Sequence, residues 1–199
     1  MRLQTLIRDK TISRADFVFH ADQLMRSLIE FAYDQLEYLD KDVITPTECT
    51  FHGATLAKEV IGVSIMRAGE AMEQALRSTI RGVKIGKILI QRDESSPSKQ
   101  AKLFYSKLPD VNDLAVFLLD PMLASGASSA LAVQVLLERG VKQEDITFVN
   151  LIAAPEGIDA LFKQFPKISV VTTMIDTGLN EHKYIVPGIG DFGDRYFGT

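Results

Sequence analysis

The sequence predicts an α/β fold in which a mainly parallel, twisted sheet is flanked by helices. Two observations support this: short apolar runs are rich in β-branched residues, and helical segments separate several of these runs. Continuous apolar runs suit strands that are buried on both faces of a parallel sheet, and alternating strands and helices are typical of such a domain. With 199 residues, 46% of them hydrophobic and 24% charged, the chain is expected to form a single domain over 1–199.

The predicted elements follow from hydrophobic periodicity. An N-terminal helical segment covers about 1–40, because apolar residues recur at three- and four-residue steps from Ala15 to about Leu39. The predicted strands are the apolar runs Ile61–Met66, Ile88–Gln91, Leu114–Leu119, Ile146–Ala153 and Val170–Ile175. The predicted helices are Gly69–Ile80, Ser128–Arg139 and Pro155–Phe165.

A polar stretch at about 92–109 breaks this alternation. Its serines and prolines, clustered around Pro97, leave it little apolar surface to bury. We therefore predict a flexible hairpin, of the kind that often forms a lid over a binding site.

Charge and composition limit the classes of function. The net charge of −4 disfavours a broad nucleic-acid-binding surface. The single cysteine, Cys49, allows no disulfide within the chain. The start of the chain carries charges where a signal peptide would be apolar, and no apolar run approaches the ~20 residues that span a bilayer. We expect a soluble, cytoplasmic protein with neither nucleic acid nor a membrane as partner.

The segment Leu114–Ser129 carries the clearest chemical signal, because an apolar strand ends in an acid and a loop of small residues then enters a helix. The backbone N–H groups of Ser125–Ser129 would converge at the helix N-terminus, where an anion is favoured, and the serine hydroxyls add donors. Asp120 would face the crevice at the carboxyl end of the strands. The loop alone also fits an ordinary capped helix. A Walker loop is excluded because no Gly-x4-Gly-Lys-Ser/Thr motif occurs in the sequence.

Two arginines, Arg67 and Arg92, each follow an apolar strand and would therefore lie near the same crevice. A guanidinium group can bind pyrophosphate oxygens with two parallel hydrogen bonds. Without further motifs, a surface arginine more often forms only a weak salt bridge.

The C-terminal segment of about 176–199 is rich in glycine. Its Gly188-x-Gly190-x-x-Gly193 spacing formally matches the dinucleotide fingerprint, but we expect it neither to lead into a helix nor to open a βαβ unit. Pro187 and the glycines would instead expose backbone groups to a small planar ligand. The bare pattern also fits a simple turn.

Four separated motifs resemble those of the type I phosphoribosyltransferases, in the form found in the uracil phosphoribosyltransferases. DPMLASGAS at 120–128 resembles the loop that binds phosphoribosyl pyrophosphate (PRPP), and VSIMRAG at 63–69 the pyrophosphate loop. ILIQRD at 88–93 is similar to the second arginine segment, and 184–199 to the uracil-binding tail. Ser125 departs from the usual Thr. Ala127 departs from a common Gly, so a positive φ would be disfavoured there.

The resemblance implies an enzyme of pyrimidine salvage that converts uracil and PRPP to UMP and diphosphate. It implies that Arg92, Asp120 and Asp191 are catalytic. It assigns uracil to a C-terminal hood consisting of Tyr184, Ile185, Gly190, Asp191 and Phe192, in which Ile185 and Gly190 act through their main chains and Tyr184 or Phe192 covers the ring. The implied PRPP contacts are Arg67, Arg92, Asp120, Pro121, Met122, Leu123, Ala124, Ser125, Gly126, Ala127, Ser128 and Asp191.

The same resemblance implies Mg²⁺ held by PRPP and water rather than by direct protein ligands, with Asp191 acting in its second shell. It implies a homodimer or homotetramer, and a cis peptide bond between Arg67 and Ala68. Some relatives are activated by GTP through an N-terminal site. Arg14 and Lys58 resemble basic positions of that site, whereas Gln23 stands where an arginine is expected.

Two alternative functions remain open. The first is a regulatory phosphoribosyltransferase-like protein that binds nucleotide or RNA, which the negative net charge disfavours for RNA and a filter-binding assay would test. The second is a transferase for another base, which the tail disfavours and a panel of bases would test.

Overall fold

The computed structural model describes residues 1–92 and 101–199 of the chain. Its α-helices are α1 (Arg2–Arg8), α2 (Arg14–Asp34), α3 (Glu73–Thr79), α4 (Ala127–Glu138), α5 (Pro155–Gln164) and α6 (Phe192–Phe197). Its strands are β1 (Tyr38–Ile44), β2 (Thr50–Leu56), β3 (Val60–Met66), β4 (Lys84–Arg92), β5 (Ala101–Lys107), β6 (Ala115–Leu119), β7 (Met122–Leu123), β8 (Ile146–Ala153), β9 (Ser169–Ile175), β10 (Gly178–Leu179) and β11 (Ile185–Val186). Short 3₁₀ turns occupy Ala68–Met72 and Gln143–Asp145.

Within the described ranges, a seven-stranded sheet has the order β5-β4-β3-β6-β8, with β7 and β9 also pairing with β8. All of its pairings are parallel except that of β4 with β5. The predicted parallel sheet is confirmed, and the five predicted strands correspond to β3, β4, β6, β8 and β9. β4 begins earlier than predicted, at Lys84, because its first half carries lysines that interrupt the apolar run.

The core lies on both faces of this sheet. In β6, Phe117 and Leu119 pack with α1, α2, α3 and α6, whereas Val116 and Leu118 pack with α4 and α5. All four side chains are fully buried. This explains why the strands are continuously apolar rather than alternating.

The N-terminal segment differs from the prediction. α2 is capped by Ser13, whose Oγ accepts the N–H of Asp16 at 3.1 Å, and it ends at Asp34. The predicted helix end near Leu39 is wrong, because the chain there enters the β1–β2 hairpin, whose two strands pair with each other and with no other described strand. Every residue of β1 is exposed, so the apolar spacing that suggested a helix does not reflect burial at Leu39.

The predicted excursion forms a hairpin where the structure describes it. β5 pairs antiparallel with β4, from Lys87–Lys107 to Arg92–Ala101, and forms one edge of the main sheet. The part of the excursion over 93–100 lies outside the described residues. Among the described helices, none has the length and apolar character needed to cross a membrane.

The parallel strands bring their carboxyl ends to one edge of the sheet. Arg67, Asp120 and Asp176 directly follow β3, β6 and β9, and Arg92 is the last residue of β4. Ligands of open α/β sheets bind outside this edge. The fold therefore gathers the polar residues that the sequence places at separate strand ends.

Candidate active site

A cleft of about 450 Å³ opens at this edge, between the β6–α4 connection and the C-terminal tail. Its lining combines residues predicted to bind PRPP with residues predicted to bind uracil. They are Ala68, Asp120, Met122, Ala124, Ser128, His182, Lys183, Tyr184, Ile185, Gly190, Asp191, Phe192 and Gly193. Two segments that are about 60 residues apart in the sequence thus face each other across one space.

The β6–α4 connection is anchored to the neighbouring strand β8. The carbonyl of Pro121 accepts the N–H groups of Leu151 and Ile152 at 2.9 and 3.1 Å, and that of Leu123 accepts the N–H of Ala154 at 2.8 Å. Pro121 and Leu123 are buried and do not line the cleft. Of the predicted PRPP contacts in this loop, these two lie where they can position their neighbours.

The loop ends at the N-terminus of α4. Gly126 is the N-cap residue and has a φ of +79°, a conformation that glycine adopts without the cost other residues incur. Ala127 is the first residue of the helix and is not among the residues with positive φ, so its methyl group is accommodated without backbone strain. The N–H groups of the first helical turn have no partner within the helix, and the half-buried Ser125 and Ser128 flank them.

Two carboxylates line the cleft. Burial is the main cause that raises the pKa of Asp120 to about 7; the N–H of Met122 opposes this increase, and the negative charge of Asp191 adds to it. Asp191 caps α6 because its Oδ1 accepts the N–H of Asp194 at 2.9 Å. A hydroxyl donor or a cation beside either acid would favour its ionised form.

The tail presents one aromatic ring to the cleft. Tyr184 is 51% exposed, whereas Phe192 is 1% exposed and packs against Phe17 and Tyr196, with ring centroids 5.7 and 5.4 Å apart. The ring of Phe192 is held in the core and cannot cover a base. Ile185 is also buried, so little of either side chain is open to a ligand.

Gly190 provides open space in the tail. It has a φ of +76°, and a Cβ atom added there would meet nothing within 4 Å. The tail continues into the short helix α6, so the expectation that no helix follows the glycines is wrong. The preceding strand β11 pairs antiparallel with β10 outside the main sheet, so in the described residues α6 does not follow a parallel strand as a βαβ unit requires.

The two predicted pyrophosphate arginines differ in what the structure describes. Arg67 does not line the cleft: it donates to Asp194 Oδ1 at 2.7 Å and to Thr199 Oγ1 at 2.8 Å, and lies over the ring of Phe197. Arg92 ends β4, next to Ala101 of β5, and only its backbone is described. The cis peptide bond precedes Arg67, between Met66 and Arg67, and does not follow it as expected.

Four residues of the cleft were not predicted as individual contacts, namely Ala68, His182, Lys183 and Gly193. Ala68 and Gly193 lie within motifs that the sequence singled out, whereas the only signal for His182 and Lys183 was their proximity to Tyr184. His182 is exposed at the rim, and Lys183 has a φ of +63°, which is uncommon for a residue other than glycine.

This combination of a parallel sheet, a loop of small residues that leads from β6 into a helix and a tail that faces it defines the class of type I phosphoribosyltransferases. The AQ2163 protein from Aquifex aeolicus is similar in structure, with a TM-score of 0.84 and 28% identity over 98% of this chain and 92% of that one. The hypoxanthine phosphoribosyltransferase from Trypanosoma cruzi shares the fold, with a TM-score of 0.52 and 10% identity over 81% and 76%.

The sequence comparison is more specific. The family model for uracil phosphoribosyltransferase matches residues 1–199. The uracil phosphoribosyltransferase of Dictyostelium discoideum is 52% identical over 99% of this chain and 91% of its own. The chain belongs to the uracil phosphoribosyltransferase family. The predicted fold class, family and enzyme class, a pentosyltransferase, are confirmed.

Proposed function

We propose that the family's reaction, in which uracil and PRPP give UMP and diphosphate, takes place in the 450 Å³ cleft. One observation carries this proposal: the α4 N-terminus and Asp120 lie opposite Tyr184 and Gly190 across a single space. A phosphate-binding end and an end suited to a planar base are what the two substrates require. The reaction would serve pyrimidine salvage.

The chemistry needs no protein nucleophile. The bond from C1 of the ribose to the diphosphate oxygen breaks, the bond from C1 to N1 of uracil forms, and the N1 proton leaves to water. Such displacements at a sugar carbon pass through a state with positive charge on the ring. The chain contributes by holding N1 against C1 and by stabilising charge on the departing diphosphate.

The PRPP end follows from the loop geometry. The N–H groups at the start of α4, with the hydroxyls of Ser125 and Ser128, would bind the 5′-phosphate. Ionised Asp120 would accept hydrogen bonds from the ribose hydroxyls. Arg67 would exchange its hydrogen bond with Asp194 for bonds to the diphosphate, because a guanidinium group binds phosphate oxygens in the same way as carboxylate oxygens. Arg92 is proposed as the second diphosphate ligand from the end of β4.

The base end depends on the main chain. Uracil presents adjacent donors and acceptors on its edge, which the backbone of Ile185 and Gly190 would match. The exposed ring of Tyr184 would cover the base. Phe192 is proposed to contribute its main chain only.

Mg²⁺ fits this donor set. PRPP oxygens and water would hold the ion directly, and the carboxylate of Asp191, which lines the cleft, is a hard oxygen acceptor for its water ligands. Among the described residues, no group of three or more His, Cys, Asp or Glu side chains could hold a metal. When bound with PRPP, the ion would neutralise diphosphate charge, and Asp191 would orient a water in its coordination shell.

The direct test is incorporation of labelled uracil into UMP with PRPP and Mg²⁺, compared with cytosine, hypoxanthine and orotate. Formation of a nucleotide from uracil, and from none of the other three bases, supports the proposal. Turnover of another base at a similar rate would favour a different transferase, and RNA binding without turnover would favour a regulatory protein.

Two matched variants test the base end. Gly190→Val places a branched side chain in the open space of the cleft and is incompatible with a φ of +76°. We expect it to lose uracil turnover while calorimetry still detects PRPP binding. Ile185→Val keeps the backbone and should retain the preference for uracil. Normal uracil binding by Gly190→Val, with loss of PRPP binding, would mean that the two ends are exchanged.

We also propose a homodimer or homotetramer, which the exposed β1–β2 hairpin supports.

GTP activation and a cytoplasmic location remain predictions. Lys58 is bonded to Asp145 at 2.7 Å and Arg14 to the carbonyl of Tyr196 at 3.0 Å, so GTP would have to compete with these contacts. Initial rates with and without GTP test the activation.

A further inference from the structure

The turn Gly188–Gly190 presents Gly190 to the cleft, and two of its three residues are glycines. Gly188 and Gly190 both have a positive φ, at +58° and +76°. Glycine loses more backbone freedom on folding than other residues, so a turn built on it is defined only when other groups constrain it. The structure shows two arginines in this role.

Arg8, at the end of α1, holds Gly188. It makes two bonds to the carboxylate of Asp176, at 2.7 and 2.8 Å, while its Nη1 also donates to the carbonyl of Gly188 at 3.1 Å. The same Asp176 accepts the N–H of Gly188 at 2.8 Å. The N–H and the carbonyl of Gly188 are therefore both hydrogen-bonded to the Arg8–Asp176 ion pair, in which the Asp176 side chain is 4% exposed.

Arg195, in α6, holds the next residue. Its Nη1 donates to the carbonyls of Ile189 at 3.0 Å and Ile7 at 2.7 Å, and its Nη2 donates to the carbonyl of Asp9 at 2.9 Å. The guanidinium also lies over the ring of Phe17, 4.1 Å from the centroid. Two consecutive carbonyls of the turn are thus each fixed by an arginine from a different helix.

We infer that Arg8 and Arg195 are positioning residues for uracil, because together they fix the turn that presents the main chain of Gly190 to the base. Neither lines the cleft, so each acts through the backbone it holds. The inference rests on the proposed place of uracil in the cleft. It also makes α1, which contributes no residue to the cleft lining, a determinant of uracil affinity.

The planar guanidinium is essential to this role. It has several donors in a fixed arrangement, whereas a lysine ammonium is a compact point charge on a flexible stem. Lysine at position 8 can keep the charge pair with Asp176 but not the same simultaneous bond to Gly188. Arg8→Lys and Arg195→Lys therefore retain charge while releasing the turn.

The experiment measures KM for each substrate, kcat and the melting temperature for the two lysine variants. Leu28→Ala is the control, because it opens a cavity at a buried position of α2, a helix that contributes no residue to the cleft lining. We expect KM for uracil to rise about tenfold or more in each lysine variant, with KM for PRPP within about twofold and kcat within about threefold. Leu28→Ala should lower the melting temperature and leave both KM values unchanged.

A folded lysine variant whose KM for uracil stays within about twofold overturns the inference for that arginine, as does a parallel rise in both KM values. If neither variant folds, the arginines support the fold as a whole and the inference is wrong. Gly190→Val separates the two proposals. If it abolishes uracil binding while the lysine variants leave KM unchanged, only the positioning role fails. If it has no effect on uracil, the proposed base site fails first.

Discussion

Asp120 lies at the carboxyl end of β6, where the cleft, the α4 loop and Asp191 meet. Burial favours its protonated form, and the proposed reaction uses the ionised form as acceptor for the ribose hydroxyls. A substrate or cation that supplies positive charge or hydroxyl donors would restore the ionised state. Because the pKa is raised, ionising Asp120 costs free energy, which its hydrogen bonds to the ribose hydroxyls have to offset.

At the residue scale, Asp120→Asn should keep the fold and lose most activity. The amide removes the charge from hydrogen bonds worth about 1.5–3 kcal/mol, so kcat/KM for PRPP should fall roughly 10- to 100-fold. Steady-state kinetics at saturating uracil provide the measurement. Asp159→Asn, at an exposed position of α5, is the matched control and should retain full activity. Normal turnover in folded Asp120→Asn would remove Asp120 from the ribose site.

Asp120 also predicts a pH dependence of stability. Its pKa is raised from the ordinary 3.8 to about 7 on folding, so between these values the folded protein holds a proton that the unfolded chain releases. This contribution to the free energy of unfolding is complete below pH ~4 and is lost as the pH rises through ~7. Urea unfolding at pH 5 and pH 8, without ligand, should show a larger decrease for the wild type than for Asp120→Asn. An equal decrease in the free energy of unfolding for the wild type and Asp120→Asn would contradict this contribution of Asp120.

At the scale of elements, the β4–β5 hairpin joins the proposed diphosphate site to the edge of the sheet. Arg92 ends β4 beside Ala101, the first residue of β5. The outer strand exposes Leu103, Phe104 and Tyr105 to solvent and pairs on one side only. A ligand that holds the end of β4 should therefore reduce opening of β5 as well.

We expect PRPP with Mg²⁺ to slow hydrogen exchange of the backbone amides in Ala101–Lys107. Mass spectrometry of the free and PRPP-bound protein measures this, and the amides of β2 serve as an internal control away from the cleft. Exchange in β5 that is already slow in the free protein and unchanged on binding would show that the hairpin does not respond to PRPP.

At the scale of the whole molecule, the β1–β2 hairpin has no described partner element in the sheet order. Leu39, Val43 and Phe51 are 54%, 45% and 59% exposed, and strand alternation places them on one face of the hairpin. An isolated two-stranded hairpin is marginally stable in water, and an exposed apolar patch often marks an interface. A second copy of the chain would bury this face.

The protein should accordingly have at least the mass of a dimer in light scattering after gel filtration. Val43→Ser combined with Phe51→Ser should shift it to a smaller species, because the change removes the paired apolar side chains of that face. His52→Ser is the control, since His52 pairs with Asp42 on the opposite face. A monomeric wild type, or an assembly insensitive to the double change, would contradict this assignment.

Local patterns determined the sheet and the outline of the site. The strands β3, β6 and β8 are apolar because both of their faces are buried, and this leaves a signal in consecutive residues. The acid, the small-residue loop and the helix start after β6 are likewise adjacent in the chain. The family motifs extended this outline to the tail, and the structure places Asp120 and Gly190 in one cleft.

Only the tertiary structure decided which groups of these motifs face the cleft. The bond between Arg67 and Asp194 joins positions 127 residues apart, and that between Arg8 and Asp176 joins positions 168 apart. Periodicity and capping rules read neighbours within a few residues, so they carry no information on such pairs. For the same reason, the sequence did not reveal that the ring of Phe192 points inward, that the ring of Tyr184 points outward or that the β1–β2 hairpin is exposed. Their environments depend on which distant elements pack against them, and packing is a property of the folded chain.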